Sequence, residues 1–374
     1  MKLPEELERK ILSELHLDGI YINPEIYQDE IDKLRRELIN QSCIFTLERR
    51  VVEEYADAYF CYNFPQNFLK SFILAKKFFN LFKSLIPDDI KILDIGCGDG
   101  AGMFGLYYFM HKQEPESRFQ LTGVDINDIF LKRCGAMADW FKEKDPHIDV
   151  ELVKESAQKF IQRNKKTYDF IILSNTLAEI FQSEKIPLSF IGSLLKYLKE
   201  TGFIIIIEPA LKNLTRKLME LREDIITHKT GEILLPCLHN NRCPGLNKKR
   251  EWCHQSIKWI PPDYLKIVNQ KLFRKIEYLK FSYLIISSPK YNLPTANFYP
   301  VISRLSIEKG RKRCLICTKD GIVELIMLNR ERSLANEEFE QVSMGDIIKI
   351  DEPVKIKFRT YKIGKDTGVK RLDF

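Results

Sequence analysis

Residues 90–102 read IKILDIGCGDGAG, a short apolar run that leads into closely spaced glycines. The run contains Asp94 near its end, and Gly96, Gly98 and Gly100 follow at alternate positions. Only glycine lets the backbone turn tightly into a helix while a bound nucleoside approaches it closely. The stretch therefore predicts a strand, a ligand-binding loop and a helix in succession.

The chain around this loop repeats one pattern from Ile90 to Ile207. Short apolar runs alternate with helical stretches, and the runs are IKILDI, FQLTGVDI, IDVELV, YDFIIL and GFIIIIEP. Strands that alternate with helices are typical of a parallel, doubly wound sheet. We therefore expect an α/β protein with a Rossmann-like sheet.

Three regions are predicted along the chain. Residues 1–88 show apolar positions at helical spacing and form an N-terminal helical region, in which a long helix runs from about Gln66 to Ile86 and ends at Pro87. Residues 89–290 form the sheet domain, with a Cys-rich insert at 231–260. After the linker PKYNLPTANFYP, strand-like runs predict a small β-rich C-terminal subdomain at 301–374.

Composition excludes several classes of protein. The net charge is 59 − 52 = +7, and the hydrophobic (44%) and charged (30%) fractions suit a globular chain. The longest apolar run, around Phe203–Ile207, is far shorter than the roughly 20 residues of a membrane span. The acidic N-terminus does not resemble a signal peptide. We expect a cytoplasmic protein in a reducing compartment, without a membrane partner and monomeric when free.

The positive charge is concentrated in the second half of the chain. Lys and Arg exceed Asp and Glu by 16 to 7 in residues 211–290 and by 16 to 12 in residues 291–374, a net +13. The first 210 residues are mildly acidic. A solvated lysine-rich surface would give the same count, but the neighbouring cysteine segment favours RNA as the partner.

A second carboxylate follows the glycine loop by about thirty residues. Asp125 ends the run LTGVD, where it could accept hydrogen bonds from both hydroxyls of a ribose. Together with Asp94 and the glycines it resembles the S-adenosylmethionine site of Rossmann-like methyltransferases. A nicotinamide or flavin dinucleotide is the alternative, because Gly96, Gly98 and Ala101 also fit G-x-G-x-x-A. An acidic residue before the loop suits a cationic methionine moiety and would repel a pyrophosphate.

Further cofactor contacts are expected at the ends of the next strands. In LVKESAQ, Glu155 or Ser156 stands where an adenine contact is expected, and Ser174 ends YDFIILS. Ser174 and Asn175 could orient an acceptor or simply end the strand. The chain lacks an Asn-Pro-Pro-Tyr or Asp-Pro-Pro-Tyr box for a base amine and a Pro-Cys or Thr-Cys pair for pyrimidine attack. No catalytic residue is therefore predicted.

Three cysteines lie close together in PCLHNNRCPGLNKKREWCH, residues 236–254. Their C-x5-C-x9-C spacing in a charged loop is typical of ligands and leaves zinc and an iron-sulfur cluster open. His239 or His254 could complete a zinc site, and Cys314 or Cys317 could supply a fourth thiolate. The remaining cysteines are interpreted as small packing residues: Cys43, Cys61, Cys97 and Cys134.

These segments together resemble the methyltransferase-like proteins of small ribosomal subunit assembly. The resemblance covers most of the chain and is carried by AYFCYNFPQNF, the glycine loop, DFIILSNTLAEI, the IEP of Glu208 and Pro209, PCLH, RCP, WCH, FSYLIIS and LICTKDG. It implies a methyltransferase fold, association with small-subunit rRNA and a 4Fe-4S cluster held by Cys237, Cys243, Cys253 and Cys317. Strand alternation also places Cys314 on the opposite face from Cys317.

Two functions follow from this resemblance. The first is an S-adenosylmethionine-dependent rRNA methyltransferase, and the second is a noncatalytic assembly factor that uses the same fold and cluster to dock on immature rRNA. The intact glycine loop favours the first, and the missing acceptor box favours the second. A small-molecule methyltransferase is a third option, which the basic C-terminal half disfavours.

Overall fold

The computed structural model describes residues 1–20, 27–48, 53–181, 185–288, 297–351 and 353–372. Two layers of helices enclose a central sheet, and a β-rich tail follows. The helices are α1 (Glu5–Glu14), α2 (Gln28–Glu48), α3 (Ala56–Phe82), α4 (Ala101–Gln113), α5 (Asp128–Lys142), α6 (Ala157–Arg163), α7 (Leu177–Ile180), α8 (Leu188–Leu195), α9 (Lys212–Thr227) and α10 (Asp263–Lys271). No helix in these ranges is long and apolar enough to cross a membrane.

The central sheet has the strand order β3-β2-β1-β4-β5-β8-β6, with β7 paired to β8. Strands β1 to β5 are parallel, and β8 runs antiparallel to β5. This confirms the predicted doubly wound α/β fold. The strands are β1 (Asp89–Ile95), β2 (Arg118–Asp125), β3 (Ile148–Lys154), β4 (Tyr168–Ser174), β5 (Leu198–Pro209), β6 (Glu232–Leu235), β7 (Gln255–Lys258) and β8 (Tyr278–Ser287).

Helix α3 begins at Ala56, about ten residues before the predicted start, and ends at Phe82, before Pro87. Pro65 lies inside it, where a proline removes the hydrogen bond to the carbonyl four residues earlier. That carbonyl belongs to Cys61 and instead accepts a 3.0 Å hydrogen bond from the Tyr264 hydroxyl. The helix continues through the proline because α10 supplies the missing donor.

The N-terminal helices share one hydrophobic core with the sheet. Residues of α1, α2 and α3 pack in the same cluster as α4 and one face of the sheet, while α8 and α9 cover the other face. Aromatic rings fill the contact between α3 and α4, where Phe72 and Phe109 meet edge to face at 5.2 Å. The glycine loop therefore starts from a closely packed layer of the protein.

The tail forms two small sheets around its own apolar core, which confirms the β-rich subdomain. One sheet has the order β10-β11-β12-β15-β14, and the other has β16-β13-β9. The strands are β9 (Phe298–Pro300), β10 (Ser306–Glu308), β11 (Arg311–Thr318), β12 (Gly321–Leu328), β13 (Ile347–Ile350), β14 (Val354–Lys357), β15 (Thr360–Ile363) and β16 (Val369–Arg371). Most of the predicted linker, residues 289–296, lies outside the described ranges, as does the side chain of Cys43.

The tail docks on the sheet domain through buried polar contacts. Lys77 of α3 is almost fully buried, and its ammonium donates to Gln255 Oε1 at 3.2 Å and to the carbonyl of Gly345 in the tail. Asn241 of the insert donates to the carbonyl of Lys319 at 2.9 Å. These bonds hold the tail beside the Cys-rich insert.

Candidate functional site: a glycine-loop cavity and a cysteine cavity

The glycine loop connects β1 to α4 and depends on left-handed backbone conformations. Gly96, Gly98 and Gly100 have φ angles of 69°, 53° and 84°, which residues with a Cβ rarely adopt. A Cβ on Gly96 would also lie 2.5 Å from the Thr176 side chain. The loop can therefore pass close to β4 and leave a cavity above the ends of the strands.

Asp125 lies at the wall of this cavity. Its Oδ2 accepts a 2.8 Å hydrogen bond from the Gly98 amide, and its Oδ1 accepts one of 2.8 Å from the Asn127 amide. Each carboxylate oxygen has a further lone pair, so the group can still accept two donors from a ligand. Because Asn127 also caps α5, the carboxylate is fixed against both the loop and a helix start.

The cavity has a volume of about 200 Å³ and is open to solvent at one side. Several polar atoms at its edge are buried and have no hydrogen-bond partner within the described ranges, namely Asp99 Oδ2, Ser174 Oγ and Asn175 Oδ1. Buried polar atoms are normally satisfied, so these indicate a missing ligand. The lining residues are Tyr59, Asn67, Gly96, Cys97, Gly98, Asp99, Ala101, Gly102, Asp125, Ile126, Asn127, Phe130, Ser174, Asn175, Thr176 and Glu179.

The carboxyl groups around the cavity make it suitable for a cation. Burial, together with the nearby charge of Asp125, raises the pKa of Asp94 to about 7 and that of Asp99 to about 7. Burial also raises the pKa of Asp125, whereas the hydrogen bonds that it accepts from backbone amides lower this pKa. A positively charged ligand would stabilise the ionised carboxylates, whereas a pyrophosphate would be repelled.

The structure separates the predicted cofactor residues into two groups. Gly96, Gly98, Asp125 and Ser174 line the cavity, while Gly100, which turns the loop into α4, does not. Asp94 also lies outside the lining, because it is fully buried beneath the loop and accepts a 2.9 Å hydrogen bond from the Met103 amide. Asp94 therefore supports the loop from beneath through Oδ2, and its Oδ1 has no hydrogen-bond partner in the described ranges.

The two residues predicted for an adenine contact also lie outside the cavity lining. Glu155 accepts a 2.6 Å hydrogen bond from Arg163 Nε, and Ser156 caps α6 by accepting from the Lys159 amide at 3.4 Å. Both residues immediately precede α6, and both side chains therefore form hydrogen bonds with that helix.

Sequence reasoning missed several lining residues. Tyr59 and Asn67 come from α3, far from the loop in sequence, although both fall in the quoted segment AYFCYNFPQNF. Phe130 comes from the first turn of α5. Cys97, interpreted as a packing residue, is buried and also lines the cavity. The quoted segment offered a signal for Tyr59 and Asn67, and the glycine loop offered one for Cys97, whereas the contact of Phe130 depends on how α5 packs.

A second cavity, of about 90 Å³, brings the predicted cysteines together. Cys237, Cys243 and Cys253 line it from the insert, and Cys317 lines it from β11 of the tail. Cys317 Sγ lies 3.5 Å from His239 Nε2. Cys314, in contrast, is buried in the apolar core of the tail. The alternation of β11 thus turns Cys317 toward the cavity and Cys314 away from it.

Arg222 of α9 is the largest fully buried side chain of the described ranges and lies beside these thiols. Its guanidinium donates to the carbonyls of Asn241 at 2.8 Å and His239 at 2.7 Å, and it pairs with Glu223. Burial raises the pKa of the Cys237 thiol, and the Arg222 charge opposes that rise. A buried cation next to four thiols favours an anionic occupant of the cavity. No sequence pattern identifies Arg222 as part of this site.

The four thiols of this cavity are close enough to influence one another electrostatically. Burial is the largest cause of the raised pKa of the Cys253 thiol. The nearby thiols of Cys237, Cys243 and Cys317 raise this pKa as well. However, no three His, Cys, Asp or Glu side chains in the described ranges are placed to hold one metal ion.

Solved structures with similar architecture are methyltransferases of low sequence identity. A putative class I S-adenosylmethionine-dependent methyltransferase from Listeria monocytogenes is 15% identical, with a TM-score of 0.40, over 77% of this chain and 81% of that one. The plantazolicin methyltransferase BpumL in complex with SAH is 15% identical, with a TM-score of 0.39, over 70% and 99% of the two chains. The strand order reported above, and not these scores, defines the fold.

A third solved structure is a putative RNA methyltransferase from Pyrococcus horikoshii, which is 11% identical, with a TM-score of 0.34, over 59% of this chain and 80% of that one. No curated protein matches the chain significantly. The family model described as "Mitochondrial small ribosomal subunit Rsm22" matches residues 53–348, which include both cavities and the junction with the tail. The chain therefore belongs to the mitochondrial small ribosomal subunit Rsm22 family.

Proposed function

We propose that this protein is an S-adenosylmethionine-dependent methyltransferase that acts on rRNA during assembly of the small ribosomal subunit. The observation that carries the cofactor assignment is the Asp125 carboxylate, held by the Gly98 and Asn127 amides at the wall of the glycine-loop cavity. The surrounding acidic groups suit a sulfonium and disfavour a dinucleotide phosphate. The family match supports the ribosomal partner.

Methyl transfer from a sulfonium needs little help from an acid or a base. The methyl group is already activated, so the protein must orient the acceptor and exclude water. Ser174 Oγ and Asn175 Oδ1 lie at the end of β4 without partners in the described ranges and could contact an acceptor. The chain lacks the base-specific acceptor boxes, which supports the alternative of a noncatalytic assembly factor that uses the same cavity.

Cofactor binding is tested by calorimetric titration of the full chain with S-adenosylmethionine. Asp125→Ala removes two hydrogen bonds to the ribose, each of about 1.5–3 kcal/mol because the acceptor is charged. The affinity should fall at least tenfold. Asp139→Ala on the exposed side of α5 is the matched control and should bind like the wild type. Unchanged binding by Asp125→Ala would contradict the assignment.

Catalysis is tested separately, with methyl-labelled S-adenosylmethionine and small-subunit rRNA from cells that lack the protein. Label in one rRNA nucleotide, lost with Asp125→Ala, would establish the enzyme. Cofactor binding without label in the rRNA would support the noncatalytic assembly factor. Mapping of rRNA methylation in a deletion strain, together with small-subunit profiles, identifies the step that is affected.

We also propose that the cysteine cavity holds a 4Fe-4S cluster, with Cys237, Cys243, Cys253 and Cys317 as ligands. The convergence of the four thiols beside a buried Arg222 supports this assignment. Bound there, the cluster would act as a structural cross-link between the insert and the tail. Zinc is the alternative metal. The cytoplasmic location, the rRNA partner and the monomeric state remain predictions of this proposal.

A further inference from the structure

The tail carries an unusual exposed hairpin at the edge of its larger sheet. Strand β14 is the edge strand, all four of its residues are exposed, and a two-residue turn joins it to β15. The hairpin segment, residues 354–359, reads VKIKFR and so alternates apolar and basic side chains. Val354, Ile356 and Phe358 have exposed fractions of 54%, 51% and 79%.

The edge itself is protected against pairing with another strand, because β14 is only four residues long and carries Lys355 and Lys357. Its apolar side chains nevertheless remain uncovered. Phe358 is the most exposed of the three apolar side chains and occupies the tip of the hairpin. Three exposed apolar side chains at alternate positions of one short segment are available to a binding partner.

The charges of the hairpin segment identify the partner. Some basic side chains of the tail are neutralised by carboxylates, as in Arg313 with Glu308 and Glu324 and in Lys312 with Glu340. Within the described part of the chain, no carboxylate forms an ion pair with the basic residues of the hairpin segment, Lys355, Lys357 and Arg359. Their positive charge is therefore available to an external anion.

We infer that the hairpin segment binds single-stranded RNA, with Phe358 stacking on a base and the three basic residues contacting phosphates. The Arg359 guanidinium lies over the Phe358 ring at 5.0 Å, so a cation and an exposed aromatic ring are adjacent at the tip of the hairpin. Aromatic stacking combined with a basic track is how proteins bind single strands without reading a duplex. This inference rests on the proposed association with rRNA and identifies the surface that performs it.

The test uses the full chain and a short fluorescein-labelled single-stranded RNA, with the same strand annealed into a duplex for comparison. The triple variant Lys355→Ala, Lys357→Ala and Arg359→Ala should weaken single-strand binding at least tenfold in fluorescence anisotropy. Each lost phosphate contact lowers the slope of log K against log salt by about 0.7, so the slope should fall by about 2.

A matched triple variant on the sheet domain controls for net charge. Lys159, Lys165 and Lys196 are exposed, and changing all three to Ala removes the same charge. This control should keep the wild-type affinity and slope. Phe358→Ala should lose about tenfold in affinity at an unchanged salt slope, and Phe358→Trp should restore binding because it keeps the stacking ring.

Three outcomes overturn the inference in different ways. If the wild type binds RNA and the hairpin variants bind it equally well, the hairpin segment serves another purpose, such as strand addition to a protein, and the RNA partner stands. If the wild type binds neither RNA form nor small-subunit rRNA, the proposed RNA association itself is wrong. Equal losses by the hairpin and control variants would show a nonspecific charge effect and contradict the hairpin as the site.

Discussion

Two aspartates on neighbouring strands show how position decides the role of a residue. Asp94 of β1 is fully buried and supports the glycine loop from beneath, through the Met103 amide. Asp125 of β2 lies at the cavity wall and is fixed by two backbone donors. Replacing the first should disturb the loop, whereas replacing the second should change the ligand contact.

Glu208 is a third buried carboxyl near the ends of these strands. It is almost fully buried at the end of β5, where Oε1 accepts a 2.9 Å hydrogen bond from the Leu177 amide and Oε2 has no hydrogen-bond partner in the described ranges. Burial raises its pKa from 4.5 to about 8. The native protein therefore keeps a proton that the unfolded chain loses from about pH 4.5 upwards.

This residue should make stability depend on pH. Between pH 4.5 and about 8 the native state binds more protons than the unfolded state, so the free energy of unfolding falls as the pH rises. Glu208→Gln keeps the acceptor for Leu177 and cannot ionise. In urea unfolding, the variant should therefore gain stability relative to the wild type on going from pH 5 to pH 8.

The exposed Glu200 of the same strand provides the control. Glu200→Gln should show the same pH dependence as the wild type. A stability difference between Glu208→Gln and the wild type that stays constant from pH 5 to pH 8 would show that Glu208 is ionised in the native state, and would contradict the prediction.

At the scale of elements, the contact between α3 and α4 is too close for a side chain at one position. A Cβ on Gly105 of α4 would lie 2.3 Å from the carbonyl oxygen of Phe68 in α3. Ser71 of α3 donates to the carbonyl of Gly102 at 2.6 Å, which also draws the helices together. The glycine loop leads directly into α4, so the distance between α3 and α4 sets the position of that loop.

Gly105→Ala should therefore destabilise the protein by about 1–3 kcal/mol, the usual cost of overpacking. Gly135→Ala on α5 is the matched control, since its Cβ would approach nothing closer than 3.8 Å. That control should stabilise by up to about 1 kcal/mol, because alanine is the better helix former. Thermal unfolding of both variants compares them, and equal shifts would show that the helix contact tolerates a methyl group.

The elements also show what could be predicted from the sequence and what could not. The glycine loop, Asp125 and the strand alternation were predicted because each depends on residues that are adjacent in the chain. The start of α3 was placed too late, because Pro65 indicates a break that Tyr264 compensates from 199 residues further along. Tyr59, Asn67 and Arg222 reach their cavities by packing, which local patterns do not encode.

At the scale of the whole molecule, the cysteine cavity joins two parts of the chain. Three of its thiols come from the insert and the fourth from the tail. Bringing these segments together closes a loop of more than sixty residues and costs conformational entropy. Metal binding would offset that cost. Loss of the metal should therefore loosen the contact between the tail and the insert, and should also remove the visible absorption of an iron-sulfur cluster.

Protein purified without oxygen should be brown and should contain iron and sulfide in near-equal amounts. Cys317→Ala should lose the iron and the colour, and Cys314→Ala, which changes only the core of the tail, should keep both. Metal analysis and visible absorption measure these outcomes. Stoichiometric zinc without sulfide would show a structural zinc site in place of the cluster.

The position of Cys317 also has a consequence for biosynthesis. A ribosome makes the chain from its N-terminus, so the glycine loop and the insert emerge before the strand that carries Cys317. The nascent sheet domain therefore presents three thiols of the cysteine cavity while the fourth is still being translated. The cavity can therefore form only after the strand that carries Cys317 has been synthesised, which is later than the folding of the glycine loop requires.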